Sequence, residues 1–157
     1  MHIKLLLVGK TDQTYLEEGI HTFVSRINRY LGFEQEVIQV PKKWSSLSEE
    51  LRKVKEGEVI LEHMTWGDTC ILLDERGKQM KSTELAAFLQ GHMNRSTRKL
   101  LFIVGGPYGF SQAVHDAAHM KLSLSKMTFS HQMVRLFFVE QLYRALSIIR
   151  NEPYHHQ

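Results

Sequence analysis

Apolar and polar residues change period several times along this chain, and each change marks an element. Residues 3–8 form a compact, largely apolar run, interrupted only by Lys4 and closed by Gly9, the pattern of a buried strand in a parallel sheet. Leu16, Ile20, Phe23, Val24, Ile27 and Leu31 then recur at spacings of three and four with charges between them. That spacing predicts an amphipathic helix over residues 15–31, capped by Asp12 and stopped at Gly32. Residues 33–40 read as a second strand closed by Pro41, and residues 46–64 contain a charged helix with Leu47, Leu51 and Val54 on one face. Residues 69–73 are a third apolar strand. After a turn at Gly77, Ser82-Thr83-Glu84 opens a helix through Leu85, Phe88 and Leu89. Residues 100–104 make a fourth strand, broken by Gly105-Gly106-Pro107. A short helix over 111–119 and a short strand over 121–125 lead to Ser130, which can cap a long helix running to about Arg150.

Strands alternating with helices, without linker, repeat or low-complexity tract, predict a single α/β domain over residues 1–157 on a mostly parallel sheet. With 43% hydrophobic residues the chain can bury a core, which excludes a disordered or fibrous protein. The formal charge is +3, and its distribution says more than its size. Residues 1–119 balance, whereas residues 120–157 hold Lys121, Lys126, Arg135, Arg144 and Arg150 against Glu140 and Glu152. An excess confined to one end fits an anionic partner there, and equally a solvated surface. Cys70 is alone within an apolar strand, so no intrachain disulfide forms and a buried, inert thiol in a reducing compartment is expected. The apolar run near the N-terminus is too brief for a signal sequence, and no stretch approaches the ~18 residues of a membrane span. A soluble, cytoplasmic protein is expected.

Ligands of an open parallel sheet bind beyond the carboxyl ends of the strands, where loops and helix N-termini present unpaired N–H groups. Three ends carry suitable residues: Leu73-Asp74, the loop Gly105-Gly106-Pro107-Tyr108-Gly109, and the stretch from Leu124 to Phe129. The glycine loop lacks both the G-x-G-x-x-G spacing of a dinucleotide site and the Lys-Ser/Thr of a phosphate loop, which argues against a nicotinamide enzyme or a nucleotide hydrolase. A tight strand-to-helix turn would account for it equally well.

The last helix is apolar nearly all the way round, from Met133 to Ile149, and must be covered on several sides, so a two-fold dimer is expected. Arg135 projects among Phe138, Val139, Leu142 and Leu146, where a guanidinium needs an anion, a carboxylate or a carbonyl, and a salt bridge across a dimer would serve. Arg144 lies on the opposite side beside Glu140, an arrangement that a surface ion pair explains. Tyr154, His155 and His156 follow the helix in a short tail; adjacent histidines make a poor metal site, and stacking on a nucleic-acid base is the sharper reading.

At these residues the chain resembles a known family. The strings 101–109, 122–135 and 140–145, with Pro153-Tyr154-His155, are similar to the ribosomal RNA large-subunit methyltransferase H family of the SPOUT methyltransferases, and the likeness covers essentially the whole chain. Ser130 departs from the proline expected there in many members but still caps the helix. The resemblance implies an α/β knot with the C-terminal segment threaded through an earlier loop, a homodimer, S-adenosylmethionine as methyl donor, and methylation at N3 of a pseudouridine in large-subunit ribosomal RNA. It places Leu73, Gly105, Leu124, Ser125, Lys126, Met127, Thr128 and Phe129 around the donor. His131 is then a candidate base, Arg135 or Arg144 a stabiliser of the developing imidate oxygen, and Tyr154 with His155 a holder of the target base, in either protomer's site. A non-catalytic RNA-binding module without affinity for the donor and a knotted tRNA methyltransferase stand as alternatives.

Overall fold

The computed structural model describes residues 1–65 and 67–154. Five strands, β1 (His2–Val8), β2 (Gly32–Ile38), β3 (Thr69–Gln79), β4 (Lys99–Val104) and β5 (Met120–Ser123), alternate with five helices. The helices are α1 (Thr14–Ile27), α2 (Glu49–His63), α3 (Ser82–Asn94), α4 (Gln112–Ala117) and α5 (Met133–Ile149). The strand order is β2-β1-β4-β3-β5 and every pairing is parallel.

Burial on both faces explains the largely apolar strands. Along β1, Ile3, Leu5 and Leu7 point to one side, where residues of α1, α3 and α5 complete the core, while Leu6 and Val8 point to the other, covered by Ile60 of α2 and Val114 of α4. Phe102 of β4 is fully buried with its ring centroid 4.7 Å from that of Phe138 of α5, so the last helix is fastened to the centre of the sheet. Truncating a ring at such a position costs about 3–5 kcal/mol.

Four expectations from the sequence are corrected. α1 stops at Ile27 rather than Leu31, because the Asn28 side chain accepts the Phe33 N–H (3.0 Å) and turns the chain into β2. Asp12 does not cap α1: its N–H donates to the Gln132 side chain (2.9 Å), which ties the start of the chain to the foot of α5. Gly77 lies within β3, where the register shifts between Leu73 and Lys78. A Cβ at Gly77 would come within 2.6 Å of Leu122 N, so the glycine serves close backbone approach and not a turn. The expected face of α2 is outward: Leu51 and Val54 are 45% and 39% exposed, and the helix buries Glu56, Gly57 and Ile60 instead. Gly57 selects that face, because any side chain there would overlap the Ser111 hydroxyl.

Candidate active site

β3 runs on to Gln79 rather than ending at Leu73 as the sequence suggested, but its pairing with β4 stops at Leu73 and its register shifts there, so the carboxyl ends of β4 and β5 open beside the middle of β3. β4 breaks at Gly105, where a Cβ would press on the Phe110 ring at 3.2 Å. The loop then closes on itself through the Gly109 N–H to the Gly106 carbonyl (3.2 Å), with Gly109 at φ +78°, a conformation that favours glycine. β5 ends at Ser123, whose hydroxyl donates to the Ser125 carbonyl (2.8 Å), and Ser125 Oγ accepts the Met127 N–H (2.9 Å). These local bonds curl residues 124–129 toward β3, where the Thr128 hydroxyl donates to the Glu75 carboxylate (3.0 Å).

The result is a cavity of about 420 Å³, the size of a small-molecule site. Leu73, Gly105, Leu124, Ser125, Met127, Thr128, Phe129 and His131 all line it, from the middle of β3, the ends of β4 and β5 and the foot of α5. Lys126 is exposed and does not line it. Its ammonium is better solvated outside. Asp74, Tyr108, His115 and Lys53 also border the cavity. Tyr108 lay within the glycine motif, but nothing local in the sequence marks His115 or Lys53 as neighbours of it. A second depression of about 530 Å³ adjoins Lys10, Gln35 and Gln39 at the ends of β1 and β2, without a glycine loop.

His131 carries the most informative side chain on the cavity wall. Burial, and next the Arg135 charge, push its pKa below the ordinary histidine value, so its ring is neutral at neutral pH. Its tautomer follows from Gln132. The Gln132 Oε1 accepts the Asp12 N–H, so Nε2 is the amide donor, reaching the Lys10 carbonyl (3.0 Å) and lying 3.3 Å from His131 Nε2. His131 Nε2 is therefore the lone-pair nitrogen. α5 begins at Met133 with Gln132 as its N-cap; Ser130, expected to cap it, lies two residues before that position, where its hydroxyl accepts the Met133 N–H (3.1 Å).

Arg135 is fully buried and does not line the cavity. Its guanidinium donates to the carbonyls of Val8 (2.8 Å), Gly9 (2.9 Å) and His131 (3.0 Å) and to the Thr11 hydroxyl (3.1 Å). Of the partners the sequence allowed, carbonyls of its own chain are the ones it has. Burial lowers its pKa to about 10, which leaves it charged at neutral pH. With its donors committed to backbone it is not placed to stabilise an oxyanion.

Arg144 forms the expected pair with Glu140 (2.8 Å). The pair carries more than that: Tyr154 donates to the same carboxylate (3.2 Å), and its ring lies 4.8 Å from the Arg144 guanidinium carbon. Burial and the nearby Glu140 raise the Tyr154 pKa and keep the phenol protonated. This cluster does not line the cavity; Arg144 follows His131 by about 13 residues, roughly 20 Å of helix. His155 lies outside the described residues. Cys70 is buried, which pushes its thiol up to about 11 and makes it inert.

A doubly covered parallel sheet with a glycine loop and a neutral histidine at one cavity defines an α/β enzyme that takes a small ligand at the carboxyl edge. The chain belongs to the SPOUT methyltransferase family, whose model, "Predicted SPOUT methyltransferase", matches residues 1–155. Ribosomal RNA large subunit methyltransferase H of Parabacteroides distasonis is 51% identical to it, and the protein of that name from Christiangramia forsetii 52%, each over the full length of both chains. The tRNA (m1G37) methyltransferase of Aquifex aeolicus shares the fold, with a TM-score of 0.57 at 14% identity over this whole chain and 76% of that one.

Proposed function

We propose that this protein transfers a methyl group from S-adenosylmethionine to N3 of a pseudouridine in large-subunit ribosomal RNA. The observation that carries the reading is the convergence of the glycine loop, residues 124–129 and the neutral His131 on one cavity, in a chain that matches the ribosomal RNA methyltransferases end to end. The residues fit the donor: Gly105 lets backbone approach it without Cβ interference, and Leu73, Leu124 and Met127 offer apolar faces to an adenine ring. When bound, the donor supplies an activated electrophilic methyl group. The chain's own task is to align the imide nitrogen, exclude water and remove the imide proton. The neutral His131 ring, exchanging its Gln132 contact for the imide N–H, takes that proton.

Arg144 and Tyr154 are the candidates to hold the target base and its developing oxygen, and a second copy of the chain is needed to bring them to this cavity. The proposed homodimer uses α5, where Phe137 is 39% exposed and stacks on the cavity residue Phe129 (4.6 Å). The family reading further implies that the C-terminal segment is knotted through an earlier loop and that the protein works in the cytoplasm on ribosomal RNA in its ribosomal context. Among the described residues no helix is long and apolar enough to cross a membrane.

Mass mapping of ribosomal RNA from a strain lacking the gene tests the reading, with loss of one methyl from a pseudouridine as the expected result. An unchanged modification profile overturns the substrate. Calorimetric titration with S-adenosylmethionine separates an enzyme from an RNA-binding module, which would show no heat of binding.

A further inference from the structure

α2 supplies a group that the reaction outlined above does not use. Glu56 is 1% exposed, although carboxylates are almost never fully buried without good partners. One oxygen, Oε1, accepts from Arg52 Nε at 2.8 Å, and the other, Oε2, has no hydrogen-bond partner among the described residues. Its surroundings say what the carboxylate is doing there. A Cβ on Gly106 would lie 2.9 Å from Glu56 Cδ and overlap Oε2, so the carboxylate rests directly against the backbone of the glycine loop. Arg52, fixed by the same carboxylate, lies over the ring of Tyr108, 5.6 Å from its centroid, and Tyr108 lines the cavity. Two points of the loop, Gly106 and Tyr108, thus rest on one buried carboxylate, directly and through Arg52. The next residue, Gly57, has no room for a side chain against Ser111, so the helix cannot rotate to withdraw the carboxylate.

We propose that Glu56 is a positioning residue for the methyl-donor site: its buried carboxylate sets the path of the glycine loop from Gly105 to Tyr108 and thereby the wall against which the donor packs. The inference rests on the donor assignment made above and adds to it a residue that touches neither donor nor RNA. It also explains why Gly106 is glycine, because the space a side chain would need belongs to Glu56.

Two measurements test it. In hydrogen exchange without any ligand, Glu56→Gln should speed exchange in peptides covering 101–110 while leaving β1 peptides unchanged, whereas general destabilisation would speed both. In calorimetry with S-adenosylmethionine, Glu56→Gln and Gly106→Ala should each weaken binding by about tenfold or more. Because both changes disturb the same contact, Glu56→Ala combined with Gly106→Ala should bind no worse than Glu56→Ala alone. Wild-type loop exchange in Glu56→Gln, or losses that multiply in the double variant, overturn the proposal. Should Glu56→Gln fail to fold, Gly106→Ala in the otherwise native chain remains decisive, with donor affinity within twofold of wild type counting against the inference. A wild-type chain that binds no donor would instead remove the functional reading, while the exchange experiment would still decide whether Glu56 sets the loop.

Discussion

At the foot of α5, Arg135 is fully buried and spends its donors on the backbone of Val8, Gly9 and His131, whereas further along the helix Arg144 is 26% exposed, with a carboxylate on one side and the Tyr154 ring across it. Both are cations on one apolar helix. A guanidinium surrounded by carbonyls holds the fold together and has little left to offer a ligand, while one paired with a surface carboxylate and a ring can exchange partners. Burial and partner type decide the role, and position in the helix does not.

Removing Arg135 should produce the largest effect. Arg135→Met would leave the Val8 and Gly9 carbonyls without their buried donor, and denaturant unfolding should show a loss of about 3–5 kcal/mol. A loss below about 1 kcal/mol would erase the contrast between the two arginines. His131→Gln should lower turnover on large ribosomal subunits about a hundredfold, close to 2.7 kcal/mol at 1.36 kcal/mol per decade. Because its pKa lies below the ordinary ~6.5, the wild-type rate should hold down to about that pH and then fall. The variant should lose this acid limb. The same shift acts on stability: as pH falls through ~6.5 the unfolded chain takes up a proton before the folded one, so the His131 contribution, complete above that pH, is lost below it. His92 and His115 are lowered by burial and add in the same direction.

Arg144→Ala should separate the two arginines in the opposite sense, with turnover reduced tenfold or more and stability changed by under about 1 kcal/mol. If mixing it with a donor-site variant restored activity, complementary sites across a dimer would be established, and a failure of every such mixture would count against a shared site. Ser130→Ala should have the smallest effect, about 1 kcal/mol in thermal unfolding through the lost bond to the Met133 N–H.

Much of the site was legible because it lies where apolar runs end. Leu73 closes the apolar run of β3, and Gly105 and Leu124 follow buried strands; parallel sheets gather such points on one edge, so residues 73, 105 and 124–129 group from the sequence alone, although β3 itself runs on to Gln79. What escaped the sequence depends on partners distant in the chain. Arg135 reads as a charge in need of an anion, a carboxylate or a carbonyl, and which of these it has stays hidden because carbonyls are partners that every residue has and no sequence advertises. Glu56 reads as one more charge on a solvated helix, and Leu51 and Val54 as its buried face. The inversion came from Gly57, whose close approach to Ser111 outweighs the apolar content of the opposite side. Gly77 was misread for a related reason, since a glycine that permits a turn and one that permits two backbones to touch look the same.

The tie between Arg135 and Val8 spans 127 residues of chain, and that separation has a consequence for biosynthesis. β1 is made before the other strands, but its terminal carbonyl obtains its partner only after a further 127 residues have been polymerised. At roughly 5–20 residues per second the wait is on the order of 10 s. Throughout it the nascent amino-terminal half carries an unfinished parallel sheet with exposed apolar edges, the kind of topology that folds slowly and associates easily. Synthesis past residue 135 therefore acts as the licensing event for the native state, and chains stalled before it should be strong clients of ribosome-bound chaperones.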